Sequence, residues 1–172
     1  MDLKWSGTVW RNPGQVLLCC FWVIAMPLTG CSIVNRISGG PVSIRPAQDT
    51  AWLTGPRRRP SFEIPIIVHN GSTRTVNTDW CVIRAERFTE GTWQLVFRPN
   101  CLLNSSPSVI HPGDSVTLQF VASAIIDPSA AEKMSPGLYR AVVPLWTVDR
   151  SGTSVSLPEG ERRSSNFIVA MK

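Results

Sequence analysis

Two histidines are the most obvious side chains from which a catalytic or metal site would be built in this 172-residue chain. His69 precedes Asn70-Gly71 and His111 precedes Pro112-Gly113, so both are expected in turns. Neither belongs to a recognisable Ser/His/Asp or Cys/His arrangement, and no ligand spacing connects them as a metal pair. The sequence therefore predicts a protein that is not an enzyme and that carries no metal or cofactor.

Cysteine offers a clearer chemistry near the N-terminus. A weakly positive start with Lys4 and Arg11 is followed by an apolar run, Val16 to Met26, and then by Leu28-Thr29-Gly30-Cys31. The run has about half of the ~20 residues needed to cross a bilayer, which favours an export signal over a spanning helix.

The four residues Leu28-Thr29-Gly30-Cys31 resemble the lipobox of bacterial lipoprotein signal peptides. The resemblance implies a signal peptide over residues 1–30, acylation (palmitate) of Cys31 and a lipid anchor on the extracytoplasmic side of the envelope. Ser32 rather than Asp after the cysteine implies the outer membrane if the host has two membranes. The alternative is a plain secretory signal that ends near a cysteine.

Cys81 and Cys101 remain after Cys19 and Cys20 leave with the signal. An even pair in an oxidising compartment favours a disulfide over two free thiols. The two numbers sum to 182, which places the centre of an antiparallel hairpin at Gly91, within the turn Thr89 to Thr92. The same register pairs Ala85 with Phe97 and Arg87 with Leu95. A bulge in the hairpin would shift this register.

Charge gives little support for nucleic-acid binding. Removal of residues 1–30 lowers the net charge from +5 to +4, and the arginines are spread along the chain. An exported protein without a basic face interleaved with aromatic residues is a poor candidate. The one basic run, Arg57-Arg58-Arg59 between two prolines, is interpreted as a solvated linker, with contact to anionic headgroups as the alternative.

Residues 31–60 are rich in glycine and proline and are predicted to form the lipidated N-terminus and a flexible tether. Trp52 within it is either exposed, on a partner or headgroups, or docked on the domain. A domain over residues 61–172 follows, with period-two strands at Phe62–His69, Trp80–Arg87, Trp93–Arg98, Val116–Ala122, Leu138–Trp146 and Asn166–Met171. In four of them the apolar residues that share one face are predicted to be Phe62, Ile64, Ile66 and Val68; Trp93, Leu95 and Phe97; Val116, Leu118 and Phe120; and Tyr139, Ala141, Val143 and Leu145. Pro65 in the first of them predicts an edge strand, and Asp127-Pro128 predicts a short helix over residues 129–134.

Three phrases resemble the immunoglobulin-like domains of bacterial surface lipoproteins: Pro112-Gly113-Asp114-Ser115-Val116-Thr117, Pro136-Gly137-Leu138-Tyr139-Arg140 and Ser165-Asn166-Phe167-Ile168-Val169. The resemblance covers about residues 62 to 171 and implies an all-β, antiparallel sandwich. Tyr139 is similar to the tyrosine corner of such domains, in which the hydroxyl binds an upstream backbone group. The alternative is a core aromatic whose hydroxyl reaches solvent.

Two function classes remain. The first is a membrane-anchored, non-enzymatic immunoglobulin-like module of the bacterial cell envelope, which binds an envelope or extracellular protein or serves a structural role. The second is a proteinase inhibitor, because a family of bacterial intracellular inhibitors shares a similar small sandwich. In that case the connection Asn104 to Pro112 is the candidate inhibitory loop.

Overall fold

The computed structural model of the protein describes residues 40–99 and 106–172. The predicted signal peptide (residues 1–30), Cys31 and Cys101 lie outside these ranges. Residues 35–172 form a compact unit, and the buried core of the described residues lies between Val42 and Val169. In the described part of the chain, no helix has the length and apolar character needed to span a membrane.

The described residues form strands and short 3-10 helices. The strands are β1 (Val42–Pro46), β2 (Thr50–Leu53), β3 (Ser61–Asn70), β4 (Val76–Thr78), β5 (Arg84–Thr89), β6 (Thr92–Phe97), β7 (Ser108–Ile110), β8 (Ser115–Ser123), β9 (Gly137–Val142), β10 (Leu145–Val148), β11 (Ser154–Ser156) and β12 (Phe167–Met171). The 3-10 helices are Trp80–Val82, Pro128–Ala130 and Glu159–Arg162.

The fold is an immunoglobulin-like antiparallel β-sandwich, as predicted. One sheet has the order β1-β3-β8 and the other β2-β12-β9-β5-β6, with a smaller sheet β11-β10-β4-β7. These orders match strands A, B and E on one side and G, F, C and C′ on the other side of immunoglobulin domains. All pairings are antiparallel except that of β2 with β12, which is parallel.

Alternation of apolar residues builds the core between the two larger sheets. Phe62 and Phe120 of the three-stranded sheet meet Tyr139, Phe167 and Phe97 of the five-stranded sheet, with ring centroids 5.3–6.0 Å apart. The faces predicted for β3, β8 and β9 are confirmed, since Ile64, Leu118 and Ala141 are buried. Edge-to-face contacts of this kind stabilise a core beyond the area that they bury.

The predicted tether is wrong in its C-terminal part. Residues 42–46 form β1, which pairs with β3 along Val42 to Pro46, and residues 50–53 form β2 beside β12. Prolines and glycines here mark turns between strands rather than a linker, because Val42, Ile44 and Ala51 bury alternate side chains. The folded domain therefore includes β1 and β2 and does not begin at residue 61.

The prediction of an edge position for β3 is also wrong. β3 lies in the centre of its sheet, between β1 and β8. Pro65 is tolerated because its backbone faces β1 at the point where that strand ends. The Pro65 carbonyl accepts the N–H of Ala47, one residue after β1, so the missing N–H of the proline removes no bond from the ladder.

A proline also divides the strand predicted over Leu138–Trp146. β9 belongs to the five-stranded sheet and β10 to the small sheet. Pro144 stands between them and cannot donate to a ladder, while its carbonyl accepts the hydroxyl of Thr78. The strand predicted from Trp80 begins only at Arg84, after the 3-10 helix Trp80–Val82.

Candidate interaction surfaces

The outer face of the five-stranded sheet is apolar. Its side chains alternate along each strand with core residues such as Ala51, Tyr139 and Val169, which are fully buried. We call this surface the aromatic face; it consists of Trp52, Phe88, Trp93, Leu95, Leu138 and Ile168. Trp52 is 52% exposed and Phe88 is 42% exposed.

Register places these side chains in a row across four strands. Phe88 pairs with Trp93, and their rings lie 5.3 Å apart. Ile168 pairs with Leu138, and continuing the β5–β9 register by one residue sets Leu138 opposite Phe88. Cross-strand aromatic and aliphatic pairs of this kind stabilise a sheet, but here their outer surfaces remain uncovered.

One ion pair lies within the aromatic face. The Arg140 guanidinium donates to the Glu86 carboxylate at 2.6–2.7 Å and lies 4.1 Å from the centroid of the Trp93 ring. Both charged side chains are mostly buried. The pair neutralises itself, and stacking on Trp93 adds a cation–π contact. The row Trp93, Phe88, Leu138 and Ile168 therefore contains no unpaired charge, and the next charged residue on the same side of the sheet is Arg84, two residues before Glu86 on β5.

The outer face of the three-stranded sheet is different. It is mostly polar and is formed by Ser43, Arg45, Glu63, His69, Ser115, Thr117 and Gln119, with Ile67 and Val121 among them. Glu63 and Gln119 are hydrogen-bonded across β3 and β8. The two outer faces thus differ in chemistry, and only one resembles the interior of an interface.

The free edge beside the aromatic face carries a bulge. Ala85 pairs with Phe97 as predicted, but Glu86 pairs with Leu95, so Val96 is the additional residue on β6. Both Val96 and Phe97 are buried as a result. The predicted pairing of Arg87 with Leu95 is wrong, and so is the prediction that Trp93, Leu95 and Phe97 share one face. A bulge on an edge strand also opposes strand addition by another chain.

A second surface lies at one end of the sandwich. Residues 54–59 between β2 and β3 are all exposed. Thr54 pairs with Ser61, and a hydrogen bond from Arg59 N–H to the Pro56 carbonyl closes the turn at 2.7 Å. Gly55, at φ +84, lies so close to the Arg59 carbonyl that a Cβ would clash. The basic run is therefore the tip of a hairpin within the domain rather than part of a linker.

Exposed isoleucines adjoin this tip. Ala124 N–H donates to the Pro60 carbonyl at 3.0 Å, and the next two residues, Ile125 and Ile126, are 72% and 44% exposed. We call Arg57, Arg58, Arg59, Ile125 and Ile126 the arginine tip. Within the described ranges the three arginines form no ion pair.

Asp127, the residue after Ile126, already accepts hydrogen bonds from Arg98 and Ser129. Burial acts to raise the pKa of Asp127, but hydrogen bonds from Arg98 N–H and from Ser129 outweigh it and hold that pKa below its usual 3.8. The Ser129 contact caps the 3-10 helix Pro128–Ala130, as predicted for Asp127. Asp127 therefore serves the chain locally instead of neutralising the arginine tip. The helix predicted over residues 129–134 is wrong in its C-terminal part, since the 3-10 helix ends at Ala130 and residues 131–133 form a turn.

The histidines lie on the surface. His69 is on the outer face of β3, where its Nδ1 is 3.0 Å from the Ser115 hydroxyl, and His111 is exposed in the turn before β8. Among the described residues no carboxylate hydrogen-bonds His69, so the third member of a triad is not found there. No cluster of three or more potential metal ligands occurs in residues 40–99 and 106–172.

Tyr139 forms the tyrosine corner that the sequence suggested. It is fully buried, and its hydroxyl donates to the Ser135 carbonyl at 2.6 Å and accepts the Ser135 N–H at 3.2 Å. Burial raises the pKa of the Tyr139 hydroxyl above its usual 10.0, despite opposing effects of the Ser135 hydrogen bond and of Arg87. The alternative of a hydroxyl in solvent is excluded.

The cysteine and loop predictions are only partly within the described residues. Cys81 lies in the 3-10 helix Trp80–Val82, where its N–H donates to Asp79, and not on a strand of the hairpin. Its predicted partner Cys101 is outside the described ranges, as are residues 104 and 105 of the proposed inhibitory loop. Ser108–Ile110 of that loop form β7, paired with β4, which leaves less of it free to enter a protease.

Sequence reasoning missed the aromatic face and the role of Asn70. The bulge at Val96 hid the face, because strict alternation assigns Trp93 and Leu95 to the core. Asn70 was interpreted only as a turn residue, yet it is fully buried. Its amide donates to the Arg74 and Ile110 carbonyls, and its Oδ1 accepts from Ser72.

No protein-family model matches the chain, and no curated protein matches it. Among solved structures, the chain is similar to the ApaA protein from Bordetella pertussis, with 13% identity, 76% of this chain and 95% of that chain covered, and a TM-score of 0.39. It is also similar to the CARDB domain of a Pyrococcus furiosus protein, with 17% identity, 77% and 86% coverage and a TM-score of 0.33. Likenesses this weak carry no argument about function, and the fold assignment rests on strand order and register.

Proposed function

We propose that the protein is a lipid-anchored, non-enzymatic immunoglobulin-like module of the bacterial cell envelope that binds a protein partner through its aromatic face. The observation that carries the proposal is the uncovered row of Trp93, Phe88, Leu138 and Ile168 across four strands. The lipid anchor rests on the lipobox resemblance at Cys31.

The size of the aromatic face supports a docking role. A half-exposed large apolar side chain leaves about 100 Å² of apolar surface, so the four exposed members of the face, Trp52, Phe88, Leu95 and Ile168, present on the order of 400 Å². That is the size of the largest patch on a typical monomer, which is often functional. Tryptophan and arginine, both present here, are the residue types that most often dominate binding energy at interfaces.

The chemistry of the face defines the partner. Arg140 and Glu86 neutralise each other, so an acidic or basic partner would find no counter-charge at the centre. The partner we propose is a folded protein with an apolar, uncharged contact surface. Strand addition is not the proposed mode, since the bulge at Val96 disturbs the free edge.

Site-specific photo-crosslinking in the full-length, membrane-bound protein tests this proposal. A photoreactive residue at Phe88 samples the aromatic face, and one at Val121, which is 40% exposed on the opposite sheet, is the matched control. We expect a discrete adduct from position 88 that is absent from position 121. Equal adducts from both positions, or none from position 88, contradict the proposal, and an adduct of twice the protein's own mass indicates a second copy instead.

Substitution gives an independent measurement. Phe88→Ser with Leu95→Ser removes two exposed apolar side chains without opening the core. We expect the adduct formed from a photoreactive residue at Trp52 to fall at least tenfold, because burial of each such side chain favours binding. Val121→Ser is the control and should leave that adduct unchanged.

A further inference from the structure

The arginine tip combines exposed basic side chains with exposed apolar side chains. Three adjacent arginines lie on a hairpin turn of which residues 54–59 are all exposed. The hydrogen bond between Ala124 and Pro60 holds Ile125, the most exposed large apolar residue among those described, beside them. Nothing in the described fold uses either feature: the arginines have no ion pair and the isoleucine packs on no core.

We propose that the arginine tip binds the surface of an anionic bilayer. Basic side chains near such a surface are attracted to the headgroups, while an adjacent exposed apolar side chain can enter the boundary between headgroups and acyl chains. A protruding turn suits a soft, flat surface better than it suits a protein groove, which receives an extended or helical segment.

The tip lies at the opposite end of the sandwich from the point at which the chain joins it. Gly40 N–H donates to the Gly71 carbonyl beyond one end of β3, and the tip precedes the other end at Ser61. The ten residues of β3 separate the two by about 33 Å. The proposed contact is therefore distinct from an N-terminal lipid anchor and does not require one.

Vesicle binding by residues 35–172, the compact unit that contains the buried core of the described residues, tests the proposal without any lipid on the protein. The probe is sedimentation with vesicles of phosphatidylcholine, alone or mixed with phosphatidylglycerol. We expect binding only to the mixed vesicles, and weaker binding as salt is raised. Equal binding to both kinds of vesicle, or none to either, overturns the proposal.

Matched arginine variants distinguish binding through the arginine tip from non-specific attraction of a basic protein to anionic vesicles. Replacement of Arg57, Arg58 and Arg59 by Gln should weaken binding by about 100-fold, at roughly fivefold for each arginine. Replacement of Arg45, Arg74 and Arg150, which are exposed elsewhere, removes the same charge and should cost less than about fivefold in total. Equal losses in the two triple variants overturn the proposal.

The apolar contact has its own control. Ile125→Ser should weaken binding to the mixed vesicles by about tenfold, whereas Val109→Ser, at a residue 55% exposed on the small sheet, should not change it. If both variants bind like the wild type, insertion of Ile125 is refuted. If a soluble polyglutamate peptide binds in a tip-dependent manner and the vesicles do not, the partner is an acidic protein and the bilayer proposal fails.

Discussion

The Tyr139 hydroxyl ties the connection before β9 to a residue of the core. It both donates to and accepts from the Ser135 backbone. Tyr139→Phe keeps the ring packing but leaves the Ser135 N–H and carbonyl without that partner. We expect a loss of about 1–2 kcal/mol in the free energy of unfolding at pH 7, measured by urea denaturation. An unchanged midpoint contradicts a stabilising role for the hydroxyl.

Alkaline pH gives a second readout on the same hydroxyl. Because the folded-state pKa is raised above 10.0, the neutral hydroxyl contributes stability below pH 10, and this is lost as the pH rises through the folded value. The wild type should therefore lose more stability than Tyr139→Phe between pH 9 and pH 11. Parallel pH profiles of the two proteins are the contradicting result.

Asn70 is buried and forms several hydrogen bonds, and a single substitution can replace its donor group by an acceptor. Its amide nitrogen donates to two backbone carbonyls, at 2.7 and 2.9 Å. Asn70→Asp places carboxylate oxygens against those carbonyls and should cost about 3 kcal/mol or more at pH 7, since an unpaired charge is buried. Protonation restores a donor, so the loss should shrink toward pH 4 in denaturant titrations, relative to Asn70→Ala. A loss that does not depend on pH contradicts this account.

Single residues differ in how far sequence predicts their roles. Tyr139 was predictable because a Pro-Gly turn before a late strand is a local signature. Asn70 has the same kind of local signature, Asn-Gly, which correctly predicts a turn. Its burial depends on a hydrogen bond to Ile110, which is forty residues away in the sequence. A pattern of neighbouring residues cannot predict such a contact.

At the scale of elements, the β5–β6 hairpin tests how turn chemistry sets register. Glu90 has φ 52 and Gly91 has φ 79, the positive pair that a two-residue hairpin turn requires. Glutamate is poorly suited to this conformation, whereas asparagine tolerates it. Glu90→Asn should raise the free energy of unfolding by about 1 kcal/mol. Gly91→Ala, where a Cβ meets nothing within 4 Å, should lower it through backbone strain alone.

The outcome is measured by thermal and urea denaturation of both variants. Stabilisation by Glu90→Asn without a change in the denaturant slope supports the turn assignment. Destabilisation by both substitutions would mean that Glu90 makes an unforeseen contact in the native state.

The same hairpin shows where prediction of elements ends. The turn and the Ala85–Phe97 pair follow from turn residues and from counting, and both are confirmed. The bulge at Val96 is an additional residue whose cause lies in packing: Val96 and Phe97 both enter the core. An alternating pattern of apolar residues does not reveal such a shift in register. It therefore assigned Trp93 and Leu95 to the core instead of to the aromatic face. Likewise β1 and β2 are short strands among prolines, and only their pairing with β3 and β12 identifies them.

For the whole molecule, the predicted Cys81–Cys101 disulfide can no longer be explained as a cross-strand pair of the β5–β6 hairpin. Cys81 lies in a 3-10 helix before β5, so it is not a ladder partner across the hairpin. The prediction now depends on the predicted export of the protein, because two cysteines in an oxidising compartment favour a disulfide. Closure of a loop of about 20 residues should contribute roughly 3 kcal/mol.

Mass spectrometry of the unreduced mature protein, after alkylation, decides whether the disulfide exists. We expect no alkylated thiol at either cysteine, and a drop in stability on reduction that is absent from the Cys81→Ser/Cys101→Ser double variant. Two alkylated thiols under oxidising conditions refute the disulfide.

The two proposed surfaces lie on different parts of the sandwich. The aromatic face runs along the side of the sandwich and the arginine tip lies at its end, so one molecule can present both. Eight residues lie between Cys31 and Gly40, so the two can be at most about 30 Å apart when the chain is fully extended. This is about the length of β3. An anchor at Cys31 would therefore hold the domain close to its membrane while leaving either surface accessible.

The anchor itself is tested by Cys31→Ser. Thioether lipidation and the cleavage that follows it require the thiol, so the variant should lose acyl label and keep residues 1–30, about 3 kDa of additional mass. Cys20→Ser is the matched control, because it removes a neighbouring thiol outside the lipobox and should leave labelling, processing and detergent partitioning unchanged. Two acyl chains or more are needed for stable anchoring, so the wild type should enter the detergent phase completely rather than in part. Radiolabelled palmitate, electrophoretic mobility and detergent partitioning report these three properties separately.

One result would contradict the proposed anchor: a Cys31→Ser protein that is cleaved to mature size and still partitions into detergent. Another segment would then hold the chain to the membrane, and the arginine tip would be the first candidate.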